Sequence, residues 1–136
     1  MARVTPRTKG KVFFSDFLSN LEVVPGRADV ARVVNENAVK QSIKNLLMTD
    51  RGERLFQPNI GCDIRGSLFE NMDPNTILIL KENIKSTIKT YEPRCICKGV
   101  SVVANTDQNA ITVTVIFTVI NSNKDSSLTI DLSRVR

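Results

Sequence analysis

The feature that most constrains this chain is a change of hydrophobic period at Glu92-Pro93. Upstream, Ile77, Leu80, Ile84, Ile88 and Tyr91 recur at spacings of three and four, which puts them on one stripe of a helix. Its start is marked by Asp73, an N-cap residue type, followed by Pro74 at the first helical position, where a missing N–H is harmless. Its end is marked by Pro93, which disfavours helical angles at residue 92, so the helix runs for about eighteen residues. From Cys95 onward the period is two. Ile111, Val113, Val115, Phe117 and Val119 alternate with Thr112, Thr114, Ile116, Thr118 and Ile120, giving one fully apolar face and one half-polar face. Ile96 to Val103 precedes this run, and Leu128, Ile130 and Leu132 follow it in alternation with Thr129 and Asp131. Asn105 to Asn109 and Asn121 to Asp125 are turn-like, so the segment after Pro93 reads as a three-stranded antiparallel meander.

An earlier helix is expected from Asn35, read as its N-cap, to about Thr49. Val39, Ile43, Leu46 and Leu47 form its stripe, Lys40, Lys44 and Asn45 face outward, and Gly52 is placed to stop it. Between the helices, Gly52, Pro58 and Gly61 surround Leu55-Phe56, which suits an ordered loop whose hydrophobic side chains tuck back onto the core. Phe56 and Phe69 are accordingly read as core plugs, and Ile64 to Glu70 as a short helical turn. Ahead of everything, Val12 to Leu18 is apolar enough to pack as an extended anchor, broken off by Pro25-Gly26. The fold class is α+β, two main helices packed on a small C-terminal antiparallel β-meander. At 136 residues one domain is expected, residues 12–136, able to bury about two-thirds of its unfolded surface without metal or disulfide. Residues 1–11 read as a basic flexible arm.

The residue inventory removes most chemistry. There is no histidine, so Ser-His-Asp and Cys-His arrangements are excluded, and no Gly-rich phosphate loop or dinucleotide fingerprint is present. Cys62, Cys95 and Cys97 are an odd count without a secretory signal, which points to free thiols, and Cys95-x-Cys97 lacks the usual zinc spacing. No metal or cofactor is expected. Four of the five net positive charges come from the arm, where Arg3, Arg7, Lys9 and Lys11 precede the first acid, Asp16, and the rest of the chain is close to neutral. Four cations without interleaved aromatics suit a solvated tail or contact with an acidic partner, and make a weak nucleic-acid signal. The longest apolar stretch, Ala110 to Ile120, is too short to span a bilayer, so a soluble protein is expected.

Carboxylates are the remaining catalytic candidates. A glycosidase needs two, one with a raised pKa, in a cleft with aromatic walls, yet the chain has one tyrosine and no tryptophan. Glu92 is the acid that stands out. Pro93 holds it in extended angles, so residues 92 and 94 project on the same side, and Arg94 favours the ionised carboxylate, the reverse of what a general acid requires. By residue types alone, Glu92-Pro93-Arg94 is either a docking element or plain punctuation between helix and strand.

The order of these features resembles a known family. Ser42-Ile43-Lys44-Asn45-Leu46-Leu47, then Arg51 to Asp63, then Leu68-Phe69-Glu70, then Tyr91-Glu92-Pro93-Arg94 is similar to the baseplate wedge family of contractile phage tails, shared with type VI secretion baseplates. The likeness runs from about Phe14 to the C-terminus, with Ile60 standing where an aromatic residue is expected. It implies a non-enzymatic structural protein of the virion tail baseplate, assembled in the host cytoplasm and present in six copies. Glu92, Pro93 and Arg94 would seat on the helical core bundle of the wedge heterotrimer. The terminal sheet would receive the arms of the first ring of tail sheath subunits, with Leu128, Thr129, Ile130, Asp131 and Leu132 as the strand edge. The resemblance says little about the basic arm, through which the tail tube or hub would be a further partner. Truncating Glu92 or Arg94 is expected to weaken docking while barely changing the fold. Members of the family have also been labelled lysozyme-like, which keeps a peptidoglycan-degrading glycosidase as the alternative, beside a small nucleic-acid-binding module.

Overall fold

The computed structural model describes residues 12–26, 29–105, 110–120, 122 and 124–133. The basic arm, residues 1–11, lies outside them, as do most of the Asn105–Asn109 turn and parts of the Asn121–Asp125 turn. The chain runs β1 (Ser15–Phe17), β2 (Arg32–Val34), α1 (Asn35–Met48), α2 (Ile64–Ser67), α3 (Pro74–Tyr91), β3 (Cys95–Asn105), β4 (Ala110–Val119) and β5 (Asp125–Ser133).

The period change at Glu92-Pro93 is where α3 ends and β3 begins. Pro74 opens α3, whose buried side is Leu80, Ile84, Thr87 and Ile88, and the Glu92 N–H closes it on the Ile88 carbonyl at 2.9 Å. The three strands order β3-β4-β5, all antiparallel, with a register shift between Cys97 and Gly99. Central β4 has the expected faces: Ile111, Val113, Val115, Phe117 and Val119 are each 4% exposed or less, against the apolar stripes of α1 and α3. On the outer face Thr112 donates to Asp131 at 2.8 Å, and Thr118 and Lys98 both donate to Asp125 at 2.6 Å. The result is a two-layer α+β body with helices on one side of the sheet, in agreement with the sequence reading.

Two local expectations are corrected. Asn35 does not cap α1. It is the helix's first residue at φ 50, Val34 holds the N-cap position, and no side chain caps the helix. The Asn35 Oδ1 instead accepts from the N–H groups of Phe13 and Phe14 at 2.8 and 3.3 Å, while its own N–H donates to the Phe14 carbonyl at 2.7 Å. The side chain is spent on clasping the segment before β1, which then pairs with β2 (Asp16 opposite Val33) and brings Phe14 onto the core.

Leu55 and Phe56 do not tuck back: they are 85% and 99% exposed. The core positions of this region go instead to Cys62 and Ile64, just after the loop and both fully buried, and the loop closes on itself through Gly52 N–H to the Pro58 carbonyl at 2.9 Å. Phe69, at 68% exposed, is likewise no core plug; Leu68 packs inward in its place.

Candidate functional site

The α3-to-β3 turn concentrates the polar chemistry of the fold. Glu92 is 3% exposed, and among the described residues it is the one charged side chain that is buried, beside the buried hydroxyls of Thr87 and Ser126 elsewhere in the fold. Its carboxylate accepts from Arg94 Nε at Oε1 (2.7 Å) and from Arg94 Nη2 at Oε2 (2.9 Å), a bidentate pair, and Oε2 also accepts a short hydrogen bond from Ser42 Oγ on α1. Residues 92 and 94 thus lie on one side of the turn, as the proline spacing implied. The Arg94 guanidinium also sits 5.8 Å from the centre of the Phe14 ring, so the Asn35 clasp and the turn converge on one cation.

Burial pushes the Glu92 carboxyl upward, but the hydrogen bonds from Arg94 and Ser42 outweigh it and the net shift is downward from 4.5. The hydrogen bond to Glu92 in turn raises Arg94 above its ordinary value. The group is therefore locked in its ionised form. Arg94 keeps 29% of its side-chain surface exposed while Glu92 keeps 3%, so the surface presented at this turn is the arginine and Pro93, with the glutamate as the hidden post that holds them. This corrects the expectation that Glu92 could be removed with little effect on the fold: it is buried within its own chain.

Beside the turn lies a cleft of 270 Å³ lined by Asp16, Ser42, Leu46, Arg54, Ile60 and Tyr91. It sets Ser42 and Tyr91, which adjoin the turn, against the Arg51–Gly61 loop, and Tyr91 donates its hydroxyl to the Asn59 carbonyl at 3.1 Å. The loop's base is fixed by Cys62 N–H to the Thr49 carbonyl at 2.9 Å, an approach that only glycine permits at 61, since a Cβ there would lie 2.4 Å from the Thr49 oxygen. Phe56 at its apex holds φ 69, a conformation that costs a non-glycine residue about 1–2 kcal/mol.

The other predicted site, β5, is paired with β4 alone among the described residues, with Thr114 opposite Thr129, Val113 opposite Ile130 and Thr112 opposite Asp131. Ile130 is buried, Leu128 and Leu132 are half-buried against the core, and Thr129 and Asp131 are exposed. Ser42, Phe14 and Asn35 were not singled out from sequence as partners of the turn. Ser42 borders the α1 stripe next to Ile43, but nothing local in the sequence ties it to a residue fifty positions on. Among the described residues no group of three or more His, Cys, Asp or Glu could hold a metal ion, and no helix is long and apolar enough to cross a membrane.

A buried ion pair at the turn between a long helix and a three-stranded meander defines the chain as a small α+β protein whose one buried charge, among the described residues, serves to hold a surface arginine. Residues 33–124 match the model of the family described as "Baseplate wedge protein gp25", and the chain belongs to that family. It is 36% identical over 97 residues to the baseplate wedge protein gp25 of Enterobacteria phage T4, covering 71% of this chain and 74% of the phage protein. In fold it is similar to a protein of Geobacter sulfurreducens described as a candidate tail lysozyme (TM-score 0.65, 22% identity, 74% of this chain and 92% of that one). It is also similar to a chain of the type VI secretion system baseplate complex (TM-score 0.62, 20% identity, 74% and 93%). At these identities the structural likenesses speak for the fold alone.

Proposed function

We propose that this protein is a non-catalytic structural component of the tail baseplate of a contractile particle, seating its Glu92-Pro93-Arg94 turn on the helical core bundle of the wedge heterotrimer. In this reading six copies, one per wedge, are built into the virion baseplate in the host cytoplasm. Each then offers the β5 edge, Leu128 to Leu132, to the first ring of sheath subunits.

The observation that carries the reading is the Ser42–Glu92–Arg94 arrangement. A buried carboxylate with three hydrogen-bond contacts fixes the arginine in one pose, the preorganisation that a docking contact needs. The same arrangement speaks against the glycosidase reading, because a general acid needs a raised pKa and an accessible proton, whereas Glu92 is lowered and hidden. The outer sheet face, with its Thr–Asp pairs, keeps β5 water-compatible until its open edge is paired.

Purified wedge proteins of the same particle, mixed with this chain, test the proposal. Arg94→Ala strands the buried Glu92 carboxylate and should lower the melting temperature by about 10 °C; assayed well below that point, where it is folded, it should reduce complex formation at least tenfold. Undiminished binding by folded Arg94→Ala would refute docking through this turn, and wall-degrading activity abolished by Glu92→Gln would favour the glycosidase.

A further inference from the structure

Resting on the docking reading above, the geometry points to a second, hydrophobic docking element: the Leu55-Phe56 apex of the Arg51–Gly61 loop inserts into an apolar socket rimmed by carboxylates on the same baseplate protein that receives the Glu92–Arg94 turn.

The apex residues are the two most exposed large hydrophobics among the described residues, at 85% and 99%. Their exposure is built. Gly52 N–H to the Pro58 carbonyl (2.9 Å), Ile60 N–H to the Gln57 carbonyl (3.2 Å) and Asp50 N–H to Glu53 Oε2 (2.9 Å) tie the loop together, and Arg65 pairs with Asp50 across its base at 3.6 Å. Phe56 is held at a φ that favours glycine, and an aromatic residue there gains nothing within its own chain. A rigid aromatic knob of this sort is what an interface anchor looks like before it is buried.

Two observations say what covers it. The first is continuity: one cleft is lined by Arg54 and Ile60 of the loop and by Ser42, which holds Glu92, and Tyr91, which directly precedes the turn and is bonded to the loop at Asn59. A partner broad enough to seat the turn therefore runs onto the loop. The second is charge. Arg51 and Arg54 flank the apex and enter no ion pair among the described residues, while the acid between them, Glu53, is engaged by the Asp50 N–H. The cations select an acidic rim around the socket, and steer its approach.

Phe56→Gly separates docking from folding, because glycine suits the positive φ and removes only the ring. Titrated against the purified wedge complex, Phe56→Gly should bind at least tenfold more weakly while melting no lower than the parent. Arg54→Glu should bind more weakly still at low salt. Parent-like binding by both variants, with binding lost in Arg94→Ala, would overturn the loop contact and leave the turn intact. Lost binding in Phe56→Gly with parent-like Arg94→Ala would keep the loop and sink the turn. If sedimentation shows the free protein self-associating through Phe56, the socket belongs to a second copy of this chain and the proposal fails.

Discussion

Replacing Glu92 by alanine should destabilise the isolated protein as well as its docking. The substitution removes the acceptor of two Arg94 donors and of the Ser42 hydroxyl in a site that is 97% shielded on the glutamate side. Breaking a buried pair by deleting one member costs about 3–5 kcal/mol, chiefly because the surviving charge is stranded. Arg94 retains 29% exposure and can turn part of its guanidinium to water, which lowers the expectation to about 2–3 kcal/mol. Urea unfolding at neutral pH measures this as a drop in midpoint at constant slope. A stranded charge predicts further that adding Arg94→Met to Glu92→Ala restores part of the loss. The pH dependence follows with a definite sign. The folded carboxyl lies below 4.5, so its contribution is complete above that value and fades as pH falls through the lower folded one. Glu92→Gln should flatten that acid limb. A double variant no better than Glu92→Ala, or an acid limb unchanged in Glu92→Gln, would refute the reasoning.

Gly61→Ala should cost about 2–4 kcal/mol in the same unfolding assay, since its Cβ would meet the Thr49 carbonyl oxygen at 2.4 Å with φ at +123, whereas Gly52→Ala, at φ +85 with open space around it, should cost about 1 kcal/mol. Burial pushes the Cys95 thiol up to about 12 and Cys62 up to about 11, so both should resist a disulfide reagent at pH 8 until denaturant is added, with half-buried Cys97 reacting first. Thr129 and Asp131 are two residues apart and aim their N–H groups at the same side of β5, so proline at either should have the same effect. If that side is the open edge, both variants fold and fail to start sheath, and Ile130→Pro unfolds the strand instead. Sheath growth from folded Thr129→Pro and Asp131→Pro baseplates would move the template elsewhere.

How much of this was legible in the sequence depended on whether a residue's role was local. The β4 alternation is the clearest case: when period two is sustained over ten residues, each side chain's face follows from its parity, and all five expected inward residues are buried. The pairing of Glu92 with Arg94 was readable for the same reason, because a proline between them fixes the geometry over two residues. Asn35 shows the limit. Its type marks the start of α1, yet the partner it chose is twenty-two residues away, and no local pattern distinguishes a cap from a clasp. Leu55 and Phe56 failed for a different reason: hydrophobicity says what burial would gain, not which residue obtains it, and here Cys62 and Ile64 enter the core while the loop apex stays outside. That an apolar pair stays outside at this cost is the residue-level conflict most often found where a protein meets something else.

The turn and the sheet are one mechanical unit, which ties the two proposed contacts together. Arg94 is followed directly by β3, and its carbonyl accepts from Ile120 N–H at 2.9 Å, extending the ladder that pairs Cys95 with Val119. The guanidinium that would seat on the wedge is therefore one residue from a strand whose register runs unbroken through β4 to β5, apart from the shift at Cys97 and Gly99. β4 is buried along its whole inner face, so these strands cannot slide: a one-residue slip would carry Val113, Val115 and Phe117 out of the core together. Fixing Arg94 on a partner thus fixes the direction in which β5 presents its edge. In the proposed assembly, flexible attachment would leave the edges of neighbouring copies free to point independently, and a polymer begun by strand pairing would need them aligned. A buried ion pair adds little to stability compared with an apolar filling of the same space, but here it makes the docking residue and the sheet share one rigid frame.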